Sequence, residues 1–349
     1  MSGATVPRPL PAPISRAIPQ PRPSAADPIL DVRDVTLRFG GLTSLDGVSL
    51  RHGRGSVLAV IGPNGAGKTS LFNCLTGAYR PQQGSARFWP TAPTAPTAPA
   101  SPATQAGASA LVGVGERGVE LVGRSPHRVT RLGIARTFQN IRLFPEMSAV
   151  ENVQVGVEVR ARAGALRGLV PTRAVRREER EILERSHLLL DFVGLRHRVR
   201  WPAGSLAYGE QRRLEIARAL GTSPALLLLD EPAAGATASE RRDLVALIRA
   251  IVDQGVSVLL IEHDIRLVAA VARSIVVLNF GRVIATGSPE QIRSDPAVIE
   301  AYLGDPDDRA DDRADDRADD RADDRADDRA DDRAAGQAGD GTDGSEGRR

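Results

Sequence analysis

The sequence predicts an α/β fold with a mostly parallel sheet covered by helices on both faces. Two observations lead to this prediction. A glycine-rich loop at 62–69 joins an apolar, strand-like run at 57–61 to a helix-like segment, and beyond residue 210 helical and strand-like segments alternate. Such alternation places parallel strands side by side, with the connecting helices packed on the two faces of the sheet.

The composition is that of a soluble globular protein with a sizeable core. Of the 349 residues 41% are hydrophobic and 26% charged, and only 3% are aromatic, so Leu, Val, Ile and Ala must form the core. The single cysteine, Cys74, excludes an internal disulfide and is typical of a reducing cytosol. No apolar run approaches the ~20 residues of a membrane span, and prolines interrupt the N-terminus where a signal peptide would be apolar. We therefore expect a cytoplasmic protein that reaches a membrane only through a partner.

Three segments have the composition of disordered chain. Residues 1–27 are proline-rich, residues from about 90 to 110 carry three Thr-Ala-Pro units, and 305–349 contain seven Asp-Asp-Arg-Ala repeats. The repeats each carry a charge of −1, so they contribute −7 to the net charge of +2, and the rest of the chain is basic at +9. We expect a disordered arm, a surface loop between two hairpin strands, and a disordered tail.

The elements follow from local patterns. An alternating run at 29–39 predicts a strand that Gly40 and Gly41 end, 48–50 predicts a short extended segment, and 86–88 and 119–122 predict the hairpin strands. Residues 145–200 are mostly helical, with the apolar positions Ile182, Leu183, Leu189, Leu190 and Val193 on one face. The arginine-rich opposite face lacks aromatics that stack on bases, so we interpret it as solvated and not as a nucleic-acid surface. Further on, helices are predicted at 210–220, 239–252 and 265–271, and strands at 226–229, 256–261 and 275–278.

The loop at 62–69 fits the phosphate-binding pattern G-x-x-x-x-G-K-[ST]. A strand that turns into a helix aims several backbone N–H groups at one point, where the helix dipole adds positive charge. Lys68 should reach the β- and γ-phosphates, and the Thr69 hydroxyl should ligate Mg²⁺. The residues predicted to bind the nucleotide here are Gly62, Pro63, Asn64, Gly65, Ala66, Gly67, Lys68, Thr69 and Ser70.

Two acids follow the apolar strand at 226–229. At the carboxyl end of a parallel strand, Asp230 and Glu231 should face the ligand crevice. Asp230 is predicted to hold Mg²⁺, usually through a water. Glu231 is then placed to orient and polarise the water that attacks the γ-phosphate.

A third stretch, Leu206-Ala207-Tyr208-Gly209-Glu210, precedes a predicted helix and resembles the signature motif of ABC ATPases. Other motifs of that family stand in the same order. Phe39 matches the aromatic residue that stacks on adenine, Gln139 the Q-loop glutamine, and His263 the switch histidine. The resemblance covers residues from about 29 to 304.

The resemblance implies a P-loop NTPase fold of the ABC ATPase kind, at 28–304. It has a mostly parallel core sheet, an antiparallel β-subdomain and a helical signature subdomain at about 140–222. ATP and Mg²⁺ are the implied cofactors. Lys68, Gln139, Glu231 and His263 would be catalytic, and Thr69, Gln139 and Asp230 would hold the metal. The signature loop would contact the nucleotide of an opposite subunit, so that hydrolysis requires a dimer.

Two positions depart from the family pattern. Ala207 replaces the usual serine of the signature and removes a hydroxyl donor to the γ-phosphate. In the segment 233–237, Thr237 stands where the family usually has Asp or Asn, and it is a weaker substitute for cross-dimer contacts.

The detailed sequence of four stretches resembles the ATP-binding subunits of branched-chain amino acid importers. These stretches are 132–144, 206–218, 231–235 and 298–304. In that subfamily a signature motif with Ala-Tyr is ordinary. The resemblance implies two membrane permeases, a second ATP-binding subunit, identical or merely similar, an external solute-binding protein, and a peripheral position on the inner face of the cell membrane. A permease helix would enter a cleft beside Gln139, lined by Ile141, Arg142, Leu143, Phe144, Pro145 and Met147.

Other functions stay open at this point. The ATP-binding subunits of urea and short-amide importers share much of this sequence, so the transported solute is undecided. A soluble ABC ATPase of DNA repair would need a long coiled coil, and no sustained heptads occur. Translation types usually carry two cassettes, whereas this chain has one phosphate loop. A third possibility is an unrelated P-loop kinase, but the signature motif and His263 argue against it.

Overall fold

The computed structural model describes residues 28–90, 118–159 and 172–303. The predicted N-terminal arm, most of the low-complexity loop, the tail and part of the arginine-rich segment lie outside these ranges. The strands are β1 Pro28–Phe39, β2 Leu42–Gly53, β3 Val57–Ile61, β4 Gln83–Phe88, β5 Val119–Glu120, β6 Ile134–Arg136, β7 Leu226–Asp230, β8 Ser257–Ile261, β9 Ser274–Asn279 and β10 Arg282–Gly287. The helices are α1 Lys68–Leu75, α2 Pro126–Leu132, α3 Ala149–Glu158, α4 Arg173–Phe192, α5 Tyr208–Gly221, α6 Ala238–Asp253, α7 Ile265–Val271, α8 Pro289–Arg293 and α9 Pro296–Leu303.

Six strands form the central sheet, in the order β10-β9-β3-β8-β7-β6. The pairs from β9 to β6 are parallel, and β10 is antiparallel to β9 at the edge. Every residue of β3, β7 and β8 is buried. Helices cover a parallel sheet on both faces, which is why these strands are apolar throughout except at Asp230 and Ser257. The prediction of a mostly parallel core sheet is confirmed.

A second sheet is antiparallel, in the order β2-β1-β4-β5. Its strand β5 pairs with the end of β4, Val119 lying opposite Phe88, so the two are hairpin strands as predicted. Leu30 and Phe88 of this sheet belong to the same buried cluster as Leu58 of β3 and Phe72 of α1. The antiparallel sheet therefore shares its core with the strand and helix that flank the phosphate loop.

Three helices lie between β6 and β7 in the sequence and pack on one another, α3 against α4 and α5, and α4 against α5. Gly156 of α3 allows close packing, because a Cβ there would lie 2.0 Å from the carbonyl oxygen of Arg218 in α5. The predicted apolar face of α4 is wrong at Leu183, which is 40% exposed. The buried residues of α4 all lie between Ser186 and Phe192, because only its last two turns pack against the other helices.

The structure contains elements that the sequence analysis did not predict, namely α2, β6, β10, α8 and α9. It also extends the short segment predicted at 48–50 to the twelve-residue strand β2. Register shifts interrupt the pairing of β1 with β2 between Val32 and Val35 and again before Leu37. Such irregularities break the two-residue alternation on which strand prediction depends. None of the helices in the described ranges has the length and hydropathy needed to cross a bilayer.

Candidate functional site

The phosphate-binding loop joins β3 to α1 and needs glycine for steric reasons. Gly62 has φ 147°, and a Cβ on it would lie 2.0 Å from the carbonyl oxygen of Leu278 in β9. Gly67 has φ 102°, and a Cβ there would lie 2.6 Å from the carbonyl oxygen of Ser44. Both backbone conformations lie in the range that L-residues rarely adopt. Neighbouring backbone thus holds the loop on two sides.

Lys68 is the first residue of α1, and its side chain is buried in the loop. Its Nζ donates to the carbonyl oxygen of Gly62 and, at 3.0 Å, to that of Pro63. The next residue, Thr69, is exposed, and the Ser70 hydroxyl accepts a hydrogen bond from Ser44 at 2.7 Å. An ammonium group held inside the loop and the hydroxyl of an exposed threonine thus lie together at the start of one helix. This is the arrangement that suits a bound polyphosphate.

Asp230 ends β7 and is 2% exposed. Arg136, at the end of β6, donates from Nη2 to Asp230 Oδ2 at 2.7 Å, and its Nη1 donates to Asn73 Oδ1 at 2.6 Å. Asp230 Oδ1 is buried and has no hydrogen-bond partner among the described residues. A buried carboxylate oxygen without a partner is costly unless a ligand completes its contacts.

The three residues predicted to hold Mg²⁺ line one groove. Thr69, Gln139 and Asp230 all contribute to the wall of an open cleft of about 730 Å³. They offer a hydroxyl, an amide oxygen and the unpartnered carboxylate oxygen of Asp230, which is the oxygen-only donor set that Mg²⁺ prefers. The residues present therefore fit this ion.

Glu231 lies just beyond Asp230 and has an unusual backbone. Its φ is 46°, in the left-handed region, and its N–H donates to the carbonyl oxygen of Ile261 at 2.9 Å. A left-handed non-glycine residue costs roughly 1–2 kcal/mol. The Gln139 side chain donates from Nε2 to Glu231 Oε2 at 2.9 Å. The structure thus brings together two predicted catalytic residues that are 92 positions apart.

His263 follows β8, and its side chain is 47% exposed. Beneath it lies Glu262, which is fully buried and accepts hydrogen bonds from the backbone N–H groups of Ala233, at 2.7 Å, and His263, at 3.1 Å. Burial raises the pKa of Glu262, an effect that these hydrogen bonds and the adjacent His263 only partly offset. Glu262 therefore connects the switch histidine to the loop that follows Glu231.

Phe39 ends β1 and is 45% exposed. Its ring meets that of Tyr79 edge to face, with centroids 5.2 Å apart and an interplanar angle of 76°. Edge-to-face pairs hold rings in a defined orientation. Phe39 thus presents its ring to solvent beside Tyr79, as stacking on a flat base requires.

The signature residues form the start of α5. Leu206 is buried, Ala207 is the N-cap, and Tyr208 is 49% exposed. The Glu210 carboxylate accepts from the Ala207 N–H at 3.2 Å and from Arg198 at 2.9 Å. Burial opposes ionisation of Glu210, but these partners outweigh it and hold the pKa of Glu210 below its usual value. Ala207 has no side-chain acceptor, so only this half of a capping box stabilises the turn.

Thr237 has a structural role in its own helix that the departure from the family pattern did not indicate. It is the N-cap of α6, and its hydroxyl accepts from the backbone N–H of Glu240 at 3.3 Å. The Glu240 carboxylate in turn accepts from the Thr237 N–H at 2.9 Å. This is a complete capping box. The sequence signal for this box is the pattern Thr-x-x-Glu at 237–240.

The segment after Gln139 only partly forms the predicted cleft. Arg142 and Phe144 line the groove of about 730 Å³, and Phe144 is 47% exposed. Asn152 of α3 holds Phe144 in place, because its side chain bonds both the N–H and the carbonyl oxygen of that residue, at 2.9 and 3.0 Å. Pro145 instead packs on the backbone of Gly204. The groove wall does not include Ile141, Leu143, Pro145 or Met147, so the predicted lining is wrong for these four residues.

Sequence reasoning missed several residues of the site, chiefly Arg136, Tyr79, Glu262 and Glu215. Glu262 directly precedes His263 and Arg136 lies three residues before Gln139, but single charged residues of this kind carry no distinguishing pattern. Glu215 lies in α5 among other charged residues and is 1% exposed. Only the fold reveals that these side chains face inward.

Comparison with known proteins agrees with this geometry. The family model described as ABC transporter matches residues 45–234, and the model described as Branched-chain amino acid ATP-binding cassette transporter matches 282–308. The chain is 46% identical over 279 residues to the high-affinity branched-chain amino acid transport ATP-binding protein BraF of Pseudomonas aeruginosa, covering 80% of this chain and 98% of that protein. It is 39% identical over 281 residues to LivG of Escherichia coli, a protein of the same description, covering 80% and 99%.

Solved structures are similar as well. The ADP conformation of MJ1267, an ATP-binding cassette of an ABC transporter, has a TM-score of 0.63 and 29% identity, covering 80% of this chain and 99% of that one. The dimeric MJ0796, a bacterial ABC transporter cassette, shares the fold at a TM-score of 0.58 and 20% identity, covering 74% of this chain and 98% of that one. The matches span nearly the full length of these relatives. The chain is thus an ATPase of the ABC transporter family and belongs with the branched-chain amino acid transport ATP-binding proteins.

Proposed function

We propose that this subunit hydrolyses ATP to power the import of branched-chain amino acids. The observation that carries the proposal is the hydrogen bond from Gln139 to Glu231 at one side of the open groove. It joins the predicted hydrolysis site to a surface on which a membrane partner can act. The solute is inferred from BraF and LivG, whose names specify branched-chain amino acids.

The residues of the chain divide the chemistry among them. The phosphate loop and Lys68 bind the β- and γ-phosphates, and Phe39 stacks on adenine. Glu231 accepts a proton from the attacking water and orients it, while Gln139 and His263 position that water and the γ-phosphate. Bound at Thr69, Gln139 and Asp230, Mg²⁺ would neutralise charge that develops on the phosphates.

The dimer completes the site in this proposal. Leu206, Ala207, Tyr208, Gly209 and Glu210 of one subunit contact the nucleotide held by the other subunit. Ala207, Tyr208 and Gly209 lie at the N-terminus of α5, whose free N–H groups favour an anion. Support comes from the exposure of this turn and from the dimeric cassette that shares the fold. The second subunit is either another copy of this chain or a similar ATP-binding chain.

The membrane partners are two permeases, with an external solute-binding protein that delivers the solute to them. The groove beside Gln139 has the character of a docking site for a permease helix. It combines the exposed ring of Phe144 with apolar residues of α3 and with Arg142 and Arg218. Such docking places the subunit on the inner face of the cell membrane.

Solute uptake by cells that carry Glu231→Gln tests the proposal. Cells that express the wild-type protein should accumulate labelled leucine, isoleucine and valine. Cells that express only the Glu231→Gln variant should not take up these amino acids, although the variant should still bind ATP. Glu179→Gln is the matched control, because Glu179 lies on the exposed face of α4. Uptake of urea or acetamide in place of leucine would disprove the assignment of branched-chain amino acids as the solute. ATP turnover by purified Glu231→Gln at the wild-type rate would disprove the catalytic assignment.

A further inference from the structure

Three charged side chains of α5 face inward at intervals of three residues, Arg212, Glu215 and Arg218. They are 4%, 1% and 17% exposed. Arg212 Nη1 lies 3.5 Å from Glu215 Oε2, and Arg218 Nη2 lies 3.8 Å from Glu215 Oε1. Positions i, i+3 and i+6 lie on one side of a helix, so these side chains form a single row. We refer to the three as the α5 row.

The α5 row bonds the backbone of the segment that carries Gln139. Arg212 donates to the carbonyl oxygen of Phe138 at 2.7 Å and to that of Gln139 at 3.0 Å. Glu215 Oε1 accepts from the N–H groups of Phe138, at 3.3 Å, and Arg142, at 3.4 Å.

The third member of the row, Arg218, donates to the carbonyl oxygen of Arg142. Five backbone groups between residues 138 and 142 are thus bonded by three side chains of one helix.

These bonds replace secondary structure. Residues 137–147 form neither helix nor strand, so their polar backbone groups need partners from elsewhere. Burying a charged row is costly, and burial indeed raises the pKa of Glu215 and lowers that of Arg218. Apolar residues at these three positions would pack equally well, but the backbone of residues 138–142 would then lose the hydrogen bonds that fix its position.

The α5 row also reaches the signature loop. Arg212 Nη2, which bonds the Gln139 carbonyl, also donates to the Tyr208 hydroxyl at 2.9 Å. Tyr208 lies in the first turn of α5, at the exposed signature. One guanidinium therefore contacts both the Q-loop backbone and a signature side chain.

We propose that Arg212, Glu215 and Arg218 are positioning residues that fix the backbone of residues 138–142, so that Gln139 stays in contact with Glu231 and moves together with the signature helix. The proposal rests on the proposed catalytic roles of Gln139 and Glu231. None of the three is among the residues proposed to bind the nucleotide or the metal. They act through the 2.9 Å hydrogen bond between Gln139 and Glu231.

The test compares Glu215→Leu and Glu215→Gln with Ile216→Val in the full-length chain. Ile216 is fully buried in the same helix but is not part of the row, so its variant controls for lost packing. Hydrogen–deuterium exchange is measured over residues 138–142, and kcat and KM for ATP are measured separately. In Glu215→Leu, exchange over 138–142 should quicken and kcat should fall by about ten- to a hundredfold, because a small displacement of a positioning group has effects of that size. The KM for ATP should stay unchanged, since the phosphate loop keeps its contacts.

Glu215→Gln keeps an oxygen acceptor but loses the charge, so it should show the same changes to a smaller extent. It is the informative variant if Glu215→Leu does not fold. The proposal is overturned if a folded Glu215 variant shows the exchange and kcat of Ile216→Val. Because exchange over 138–142 does not depend on turnover, quicker exchange without a change in kcat would point to failure of the proposed role of Gln139 and not of the row.

Discussion

His52 should make the protein less stable as the pH falls below neutrality. It lies in β2 and is 1% exposed, with Nε2 3.0 Å from the carbonyl oxygen of Ser56 and Nδ1 buried without a hydrogen-bond partner among the described residues. Burial lowers the pKa of His52 from 6.5 to about 4, and the hydrogen bond to Ser56 only partly opposes this. The folded protein therefore holds the neutral ring, whereas the unfolded chain takes up a proton near pH 6.5.

The magnitude follows from linkage. A group whose folded pKa is depressed contributes stability that is present above its unfolded pKa and is lost as the pH falls toward its folded pKa. For His52 the window runs from 6.5 to about 4. The full difference is worth about 3 kcal/mol, most of it lost by pH 4.5. In a domain of this size that corresponds to a fall in Tm of roughly 6–12 °C.

Denaturant unfolding of wild type and His52→Gln, followed by CD at pH steps from 7.5 to 4.5, measures this effect. Glutamine has an amide that can donate to the Ser56 carbonyl but does not titrate. The free energy of unfolding of wild type should fall relative to that of the variant by about 2–3 kcal/mol across this range. Other titrating groups, such as Glu210 and Glu215, are present in both proteins and cancel in the difference. Two curves that stay parallel from pH 7 to pH 4.5 would refute the inference of a buried neutral histidine.

Three further substitutions test the nucleotide site and the groove. Gly62→Ala should weaken ATP binding at least tenfold, as measured by titration calorimetry, because its Cβ would lie 2.0 Å from the Leu278 carbonyl oxygen; wild-type affinity would show that the loop tolerates the shift. Lys68→Ala should likewise raise the Kd for ATP, whereas Glu231→Gln should leave it near wild type, and equal effects of the two would contradict the division of roles. Phe144→Asp should keep ATP binding but release the protein from membranes in a flotation assay. Leu42→Asp, which changes an apolar residue that is 67% exposed in the antiparallel sheet, should not; release of both variants would show a nonspecific effect.

The parts of the fold that the sequence predicts are those in which burial leaves a mark on composition. β7 and β8 each contain a run of four apolar residues because they are buried on both faces, and the phosphate loop is recognisable because its glycines are sterically required. The three-residue strand β6 has no such signature, because it depends on pairing with β7, which lies some 90 positions further along the chain. Its assignment needs the tertiary structure.

For the candidate site, the residues proposed to contact the nucleotide could be predicted from motifs, whereas the residues that hold them in position could not. Gln139 and Glu231 were named from motifs, and the structure places them in contact. The pairing of Arg136 with Asp230 and the inward orientation of Glu215 were not predicted. A charged residue in a helix is usually solvated, and only the packing of α5 against the Q-loop reverses this expectation. The predicted cleft was wrong in part for a similar reason, since Pro145 packs on Gly204 and does not face the groove.

The left-handed backbone of Glu231 places activity and thermal robustness in opposition at one position. Glycine, or asparagine to a lesser degree, would adopt φ 46° with less strain than glutamate. A screen for heat resistance alone would therefore favour replacing the residue on which hydrolysis is proposed to depend. Stabilised variants obtained in such a screen should be sequenced at position 231 before their loss of transport is attributed to reduced flexibility.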